Sequence, residues 1–182
     1  SEMYFEKKGE VVGLLVLAVV LAVGSLAFLI ADGGRGITGA AIIEPSAIAI
    51  QAVNSTSACG IFAKSGDTYQ LSQNVSSTST CFSILAGNIT LDCQGFKITY
   101  GSGGATGGIG INNTGGYDNV TIKNCLIFDD SAGSTDNYGI RFLNVANSTI
   151  TTTTIFTITG NSHAIVLEGS DSNVISLTNI TT

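Results

Sequence analysis

The sequence predicts an all-β fold, a parallel β-helix, preceded by a single long apolar N-terminal α-helix. Three features support this prediction: apolar residues recur every 25 to 31 positions, short alternating strand patterns are separated by Gly, Asn and Ser, and one unbroken apolar run lies near the N-terminus. Only 11% of the 182 residues are charged, well below the roughly 25% of an average globular protein.

The repeats form two columns of apolar residues at matching positions. Intervals of this size, with unequal insertions, are typical of solenoids whose loops vary in length. Stacked strands about 4.8 Å apart would bury a continuous core that no single repeat can bury alone. An antiparallel β-sandwich would instead space its strands about 8 to 12 residues apart, and the columns argue against it. The first column is Leu91, Ile122, Ile150 and Ile175, and the second is Phe96, Ile127, Ile155 and Ile180.

The apolar run from Val11 to Ala31 contains one polar side chain, Ser25. Its 21 residues would form a helix about 30 Å long, which matches the core of a bilayer. Because Lys7 and Lys8 precede the run, the positive-inside rule places the N-terminus in the cytoplasm and the rest of the chain outside. A cleaved secretory signal is the alternative, but its apolar region is usually only about 7 to 15 residues long.

The junction Lys7-Lys8-Gly9-Glu10 before the apolar run resembles the leader junction of archaeal pilin-like and flagellin-like proteins. The resemblance implies cleavage after Gly9 and packing of the apolar helix in the core of a filament. The sequence departs from the pattern at Leu14, a position where many bacterial-type pilins have Glu.

Three regions are predicted along the chain. Residues 1–31 form a cytoplasmic basic stub and a transmembrane or filament-core helix, residues 32–57 form a Gly-rich and β-prone linker, and residues 58–182 form the parallel β-helix ectodomain. The linker segment Ile37–Val53 is apolar but too short for a core of its own. We expect it to pack on the β-domain, to lie at the membrane surface or to pair with another subunit.

The cysteines indicate disulfide bonds rather than a metal site. An even number of cysteines beyond an apolar segment is typical of an oxidising compartment, and no C-x-x-C pair is present to suggest the alternative, structural zinc. We expect two disulfides, and the second pair would lie on successive coils, one position out of register. The predicted pairs are Cys59 with Cys81 and Cys93 with Cys125.

Several stretches of residues 59–182 resemble archaeal surface proteins of the right-handed parallel β-helix, or pectate-lyase-like, superfamily. The resemblance implies a right-handed solenoid and a location at the cell surface. It implies no chemistry, because that fold hosts lyases, hydrolases, adhesins and inert spacers. The stretches are residues 59–61, 68–71, 74–75, 81–84, 88–95 and 119–125.

No catalytic cluster is visible in the sequence, so we expect no enzyme activity, no cofactor and no bound metal. Asp129 and Asp130 are adjacent and lie with Asp136 in a predicted loop, where solvated charges need no calcium. Asp92 aligns with Lys123, and we expect an exposed ion pair between them. The single histidine lies in a predicted turn. The acidic residues of the β-helix are Asp67, Asp92, Asp118, Asp129, Asp130, Asp136, Glu168 and Asp171, and its basic candidates are Arg141 and His163.

Charge and glycosylation motifs narrow the range of partners. A net charge of −6 without a basic patch excludes the counterion release on which nucleic-acid binding depends. Asn-x-Ser/Thr motifs are abundant, and those at Asn54, Asn74 and Asn112 are expected in loops, where an acceptor is most accessible. All the motifs together are at Asn54, Asn74, Asn88, Asn112, Asn119, Asn147 and Asn179.

These features predict an extracellular structural or adhesive protein, either membrane-anchored or within a self-assembling surface filament. Ile175–Thr182 ends on a strand pattern, and an uncovered coil would offer a template for another chain. We therefore expect self-association into a homopolymer, contact with the membrane and, as further partners, surface glycans. The alternative is a membrane-anchored β-helix that binds or cleaves carbohydrate.

Overall fold

The computed structural model describes residues 52–104, 106–131, 136–158 and 161–181. Short strands dominate these ranges because apolar and polar residues alternate over only a few positions before a turn residue intervenes. In chain order the strands are β1 (Val53–Thr56), β2 (Gly60–Phe62), β3 (Thr68–Leu71), β4 (Val75–Ser76), β5 (Phe82–Ile84), β6 (Thr90–Asp92), β7 (Lys97–Tyr100), β8 (Ile109–Asn113), β9 (Thr121–Lys123), β10 (Leu126–Asp129), β11 (Tyr138–Leu143), β12 (Thr149–Thr151), β13 (Thr154–Phe156), β14 (His163–Glu168), β15 (Val174–Ser176) and β16 (Asn179–Thr181).

The strands form three parallel sheets that the chain visits in turn. Sheet A has the order β1-β3-β6-β9-β12-β15, sheet B has the order β14-β11-β8-β5-β2, and sheet C has the order β16-β13-β10-β7-β4. From β3 onward the chain passes from sheet A to sheet C to sheet B and then returns to sheet A one coil further along. The described residues therefore form a parallel β-solenoid of about five turns, which confirms the predicted β-helix.

The first predicted apolar column lies inside sheet A. Leu91 pairs in register with Ile122, Ile122 with Ile150, and Ile150 with Ile175. The first two side chains are fully buried and Ile150 is 2% exposed, whereas Ile175 is 46% exposed. The repeat that the sequence predicted is therefore the coil repeat of the solenoid.

The second predicted column lies inside sheet C, but its first member was wrong. Ile127 pairs with Ile155 and Ile155 with Ile180, as expected, whereas the residue opposite Ile127 in the preceding coil is Ile98 rather than Phe96. The corner between β6 and β7 contains two more residues than the later corners, and this insertion shifts the register. Phe96 is consequently only half-buried beside the core.

Two other expectations differ from the structure near the ends of strands. The first strand begins at Val53 and pairs with β3, so the solenoid includes residues that the sequence assigned to the linker. His163 opens β14 rather than lying in a turn, because it pairs in register with Tyr138.

The predicted apolar helix of residues 11–31 lies outside the described residues, as do the predicted leader junction and most of the linker. Within the described ranges, no helix is long and apolar enough to cross a bilayer.

Candidate functional site

Asp92 is the centre of the most elaborate polar cluster on sheet A. Its Oδ2 lies 3.3 Å from Nζ of Lys123 on the next coil, which confirms the predicted ion pair. Its Oδ1 accepts hydrogen bonds from the Asn124 side-chain amide at 2.9 Å and from the Gln94 backbone N–H at 3.0 Å. The prediction that both partners face solvent was wrong, because these groups cover Asp92 and leave it 5% exposed.

These contacts decide the protonation of Asp92. Burial raises the pKa of this carboxyl, but the hydrogen bonds from Asn124 and Gln94 and the charge of Lys123 outweigh burial and hold the pKa below its ordinary value of 3.8. A carboxylate with a lowered pKa and occupied oxygens is a poor proton carrier near neutral pH. The cluster therefore joins two coils and has the wrong properties for acid–base catalysis.

Asp67 is held in the same way directly before β3, on the coil that precedes Asp92. It is 6% exposed, its Oδ1 lies 3.3 Å from Nζ of Lys64, and its Oδ2 accepts a hydrogen bond of 2.7 Å from the Asn54 amide. Because its two oxygens already have partners, Asp67 acts as a connection between β1 and the turn before β3.

Arg141 and His163 lie together on the outer side of sheet B. The guanidinium carbon of Arg141 is 4.7 Å from the centroid of the Tyr138 ring, and that ring stacks on His163 at 5.5 Å. Glu168 approaches the Arg141 guanidinium at 4.0 Å, which is a long ion pair between partly exposed groups. The cluster brings together an arginine, a histidine and one carboxylate, but not the second carboxylate that glycoside hydrolysis requires.

The acidic group around Asp129 is divided between the interior and the surface. Asp129 belongs to β10 and is 4% exposed, so the prediction that it lies in a solvated loop was wrong. Its Oδ1 accepts hydrogen bonds from the N–H and hydroxyl of Ser131. Burial, together with the nearby Asp129 carboxylate, raises the pKa of Tyr100 on the preceding coil. Asp130 and Asp136 are exposed instead.

Within the described part of the chain, no group of three or more His, Cys, Asp or Glu side chains is placed to hold a metal ion. The split around Asp129 explains why the three acids that the sequence groups together do not converge. A calcium ion needs about six to eight oxygen ligands, and Asp129, which faces inward at the end of β10, cannot share one ion with the exposed Asp130 and Asp136.

Aromatic side chains outside the core stack along the solenoid axis. The rings of Phe128 and Phe156 lie 4.4 Å apart on neighbouring coils, and the Lys97 ammonium lies 5.3 Å from the Phe128 centroid. Stacking of this kind contributes about 0.5–1.5 kcal/mol beyond the buried area. Because the faces of Phe128 are covered by its neighbours, this ring offers its edge rather than an open face.

Two disulfides join neighbouring coils and confirm the predicted pairing. Cys59–Cys81 has a Cα–Cα distance of 4.6 Å, and Cys93–Cys125 has one of 4.8 Å. The second bond is one position out of register, since Asp92 pairs with Lys123. The pairing weakly indicates an oxidising compartment.

The predicted glycan acceptors occupy different environments. Asn54 lies in β1 with its amide bonded to Asp67, and Asn112 lies in β8 with its side-chain oxygen buried. The expectation that these two lie in loops was therefore wrong, because brief strands leave little alternation to recognise. Asn74 does lie between strands and is exposed, and Asn179 lies in β16.

The remaining three acceptors form a column that sequence analysis did not recognise. Asn88, Asn119 and Asn147 each precede a strand of sheet A, have φ values of 57°, 58° and 54°, and are exposed. Gly66 occupies the same corner position on the coil before Asn88, and Ser172 occupies it on the coil after Asn147, both also with positive φ. The sequence does contain a signal for this column, because these asparagines recur at the same intervals of 31 and 28 residues as Leu91, Ile122 and Ile150. We call Asn88, Asn119 and Asn147 the corner asparagines.

No family model matches the sequence, and neither a curated protein nor a solved structure matches the chain.

Proposed function

We propose that this chain is an extracellular structural or adhesive surface protein and a subunit of a self-assembling filament. In this proposal the right-handed β-helix ectodomain begins at Val53, where β1 opens the solenoid, residues 1–31 supply the transmembrane or filament-core helix, and residues 32–52 link the two. The right hand is the hand that parallel β-crossovers almost always adopt.

The observation that carries the proposal is that the buried carboxylates of the solenoid are bonded to groups of the scaffold itself. The buried carboxylates Asp67 and Asp92 bond to neighbouring turns and coils. Asp67 does line an open hollow beside β1 and β2, but both of its oxygens are already bonded there. Catalytic sites usually combine convergent titratable groups with a pocket. Groups paired between coils instead support a rigid and repetitive scaffold, which suits a structural role.

The stacked aromatic side chains favour the scaffold over the carbohydrate-processing alternative. Carbohydrate recognition by an aromatic ring uses a free ring face, whereas Phe128 is enclosed between Phe156 and Lys97. Tyr138 likewise contacts both the His163 ring and the Arg141 guanidinium. These rings stabilise the stacking of coils.

The test examines the surroundings of residues 11–31 in native particles. A photo-crosslinking side chain at Ser25 should join two copies of the chain in particles taken from the surface of producing cells. The same group at Ser72, which is exposed on the solenoid, controls for random collisions between particles. Adducts to lipid alone at position 25 would refute the filament, and a chain that antibodies reach only after lysis would refute the extracellular location.

A further inference from the structure

We propose that the corner asparagines form one line of N-linked glycan acceptors in which neighbours on adjacent coils exclude each other. The ligand class is an N-linked oligosaccharide, and the inference rests on the proposed extracellular location. Each molecule would then carry a glycan on Asn119 alone, or on Asn88, Asn147 or both.

The backbone places these side chains on one edge of the solenoid. Thr90 pairs in register with Thr121, and Thr121 with Thr149, so the asparagines two positions earlier are stacked as well. Asparagine is one of the few non-glycine residues that tolerates the left-handed region. All three are exposed at a corner of the solenoid, where a substituent can point into solvent.

The motif itself follows from two columns of the fold. A left-handed corner favours Asn, and the outward position two residues later favours a β-branched residue, here Thr90, Thr121 and Thr149. The residue between them faces inward: Ile89 and Val120 are fully buried and Ser148 is 2% exposed. The fold therefore repeats Asn-x-Thr on three consecutive coils.

Spacing makes neighbouring acceptors compete. Adjacent coils are about 4.8 Å apart, which is narrower than a hexose ring with its substituents. A glycan on Asn119 therefore covers the amides above and below it. Asn88 and Asn147 are two coils apart, at about twice that distance, and both can be modified.

The transfer also has to precede folding of each corner. The Asn Nδ2 forms a bond to the anomeric carbon of a lipid-linked oligosaccharide pyrophosphate, the anomeric C–O bond breaks, the lipid pyrophosphate leaves, and the amide proton passes to solvent. A transferase must hold the acceptor segment extended, but the folded corner holds the middle residue of the motif in the core. Modification therefore occurs before the coil closes, and exclusion acts when the coils stack. A chain with glycans on two adjacent acceptors cannot bring the two coils together and does not reach the folded state.

The experiment measures glycan occupancy on single folded molecules of the full chain, by intact mass and by glycopeptide mapping. Thr121→Val removes the acceptor motif at Asn119 and keeps a β-branched residue, so occupancy of both Asn88 and Asn147 should rise. Thr121→Ser keeps the motif and should leave the distribution of glycans among the three sites unchanged. Ser76→Ala is the control, because it removes the motif at Asn74, which lies beside Lys97 and away from the corner asparagines. It should not change the occupancy of Asn88, Asn119 or Asn147.

Each outcome decides one of the two proposals. Molecules with glycans on both Asn88 and Asn119, or no rise in Thr121→Val, would overturn mutual exclusion. A column without glycans in a chain whose four cysteines are oxidised would overturn this inference and leave the proposed location intact. Cysteines that alkylate without prior reduction in the native chain would instead overturn the extracellular location.

Discussion

Left-handed backbone at single residues turns the chain at the corners of the solenoid. In the corner that follows sheet A, Asn124 has a φ of 56°, while Thr152 and Leu177 occupy the same position on later coils with φ of 49° and 50°. Asparagine predicts such a corner, since its short polar side chain tolerates this region. Threonine and leucine give no such signal, and the sequence could not reveal that their corners have the same geometry.

Replacing Thr152 by Asn should stabilise the protein. A β-branched residue is strained at positive φ, and the left-handed conformation costs about 1–2 kcal/mol for an ordinary residue. We expect Thr152→Asn to raise the free energy of unfolding by about 1 kcal/mol, measured from the urea midpoint. The protein is produced without N-glycosylation, because the change creates the motif Asn-Thr-Thr at 152–154. The same change at Thr154, which faces outward in β13, should lower the midpoint, because Asn is disfavoured in strands. Destabilisation by Thr152→Asn would contradict the strain argument.

Because of Asp92, the stability of the solenoid should depend on pH in the acid range. Because the folded-state pKa lies below the ordinary value of 3.8, the folded protein binds fewer protons than the unfolded chain in this range. The stabilisation is therefore fully present above about pH 4 and is lost as pH falls through the folded-state pKa. Asp92→Asn should reduce the free energy of unfolding at pH 7 by about 1–3 kcal/mol, because the hydrogen bonds from Gln94 and Asn124 lose a charged acceptor.

Urea unfolding at pH 7, 4 and 3 checks this prediction. The difference between the original chain and Asp92→Asn should shrink as the pH falls. Asp130→Asn, a change at an exposed carboxylate, is the matched control and should leave the midpoints nearly unchanged. An equal difference at all three pH values would show that Asp92 acts through packing and not through its charge.

At the scale of strands, the sequence predicted sheets A and C better than sheet B. Sheets A and C present an isoleucine or leucine to the core on nearly every coil, so the columns are readable. Sheet B instead buries Gly110, Gly139 and Asn113 beside its apolar residues. Asn113 is fully buried, and its side chain bonds to the backbone of Tyr117. Sheet B does contain an apolar column in register, and its 25-residue repeat between β11 and β14 is visible in the sequence, but the buried glycines and asparagine beside it make its period harder to follow on the other coils. The column is Phe82, Ile111, Ile140 and Ile165.

Gly139 marks a point where two coils approach too closely for a side chain. A Cβ at this position would lie 2.5 Å from the backbone oxygen of Ala164 and 2.7 Å from Cγ2 of Ile155. Because a backbone oxygen cannot rotate away, Gly139→Ala should destabilise the protein by about 1–3 kcal/mol. Gly60→Ala is the control, since no atom lies within 4 Å of its added Cβ. Similar thermal midpoints for the two variants would contradict the close approach.

For the whole molecule, the solenoid and its disulfide pairing followed from the sequence because each depends on spacing along the chain. The location of charge did not follow, since a one-dimensional pattern cannot show that Asp92 is covered by its corner or that Asp129 faces inward. Function depends on such three-dimensional arrangement more than on spacing. The corner asparagines are an intermediate case, because their 31- and 28-residue intervals are visible in the sequence whereas their exposure at one corner appears only in the structure.

The disulfides should stabilise the molecule locally, because a solenoid coil contacts mainly its neighbours. Cys59–Cys81 closes a loop of 22 residues and Cys93–Cys125 one of 32, and each should contribute about 3–4 kcal/mol through the entropy of the unfolded chain. Replacing either pair by serine should lower the free energy of unfolding, measured from the urea midpoint, by about this energy. Added reductant should lower the midpoint of each double variant further, by the contribution of its remaining bond.

Hydrogen exchange distinguishes local from global stabilisation in these variants. Loss of Cys59–Cys81 should speed exchange in β2 and β5 more than in β13, because the bond lies directly before those two strands. Loss of Cys93–Cys125 should instead speed exchange in β6 and β9, which end beside the bonded cysteines. The two patterns differ only if neighbouring coils can open separately. Uniform acceleration across all strands in both variants would show that the described coils unfold as one cooperative unit, and the nearest-neighbour account would then be wrong.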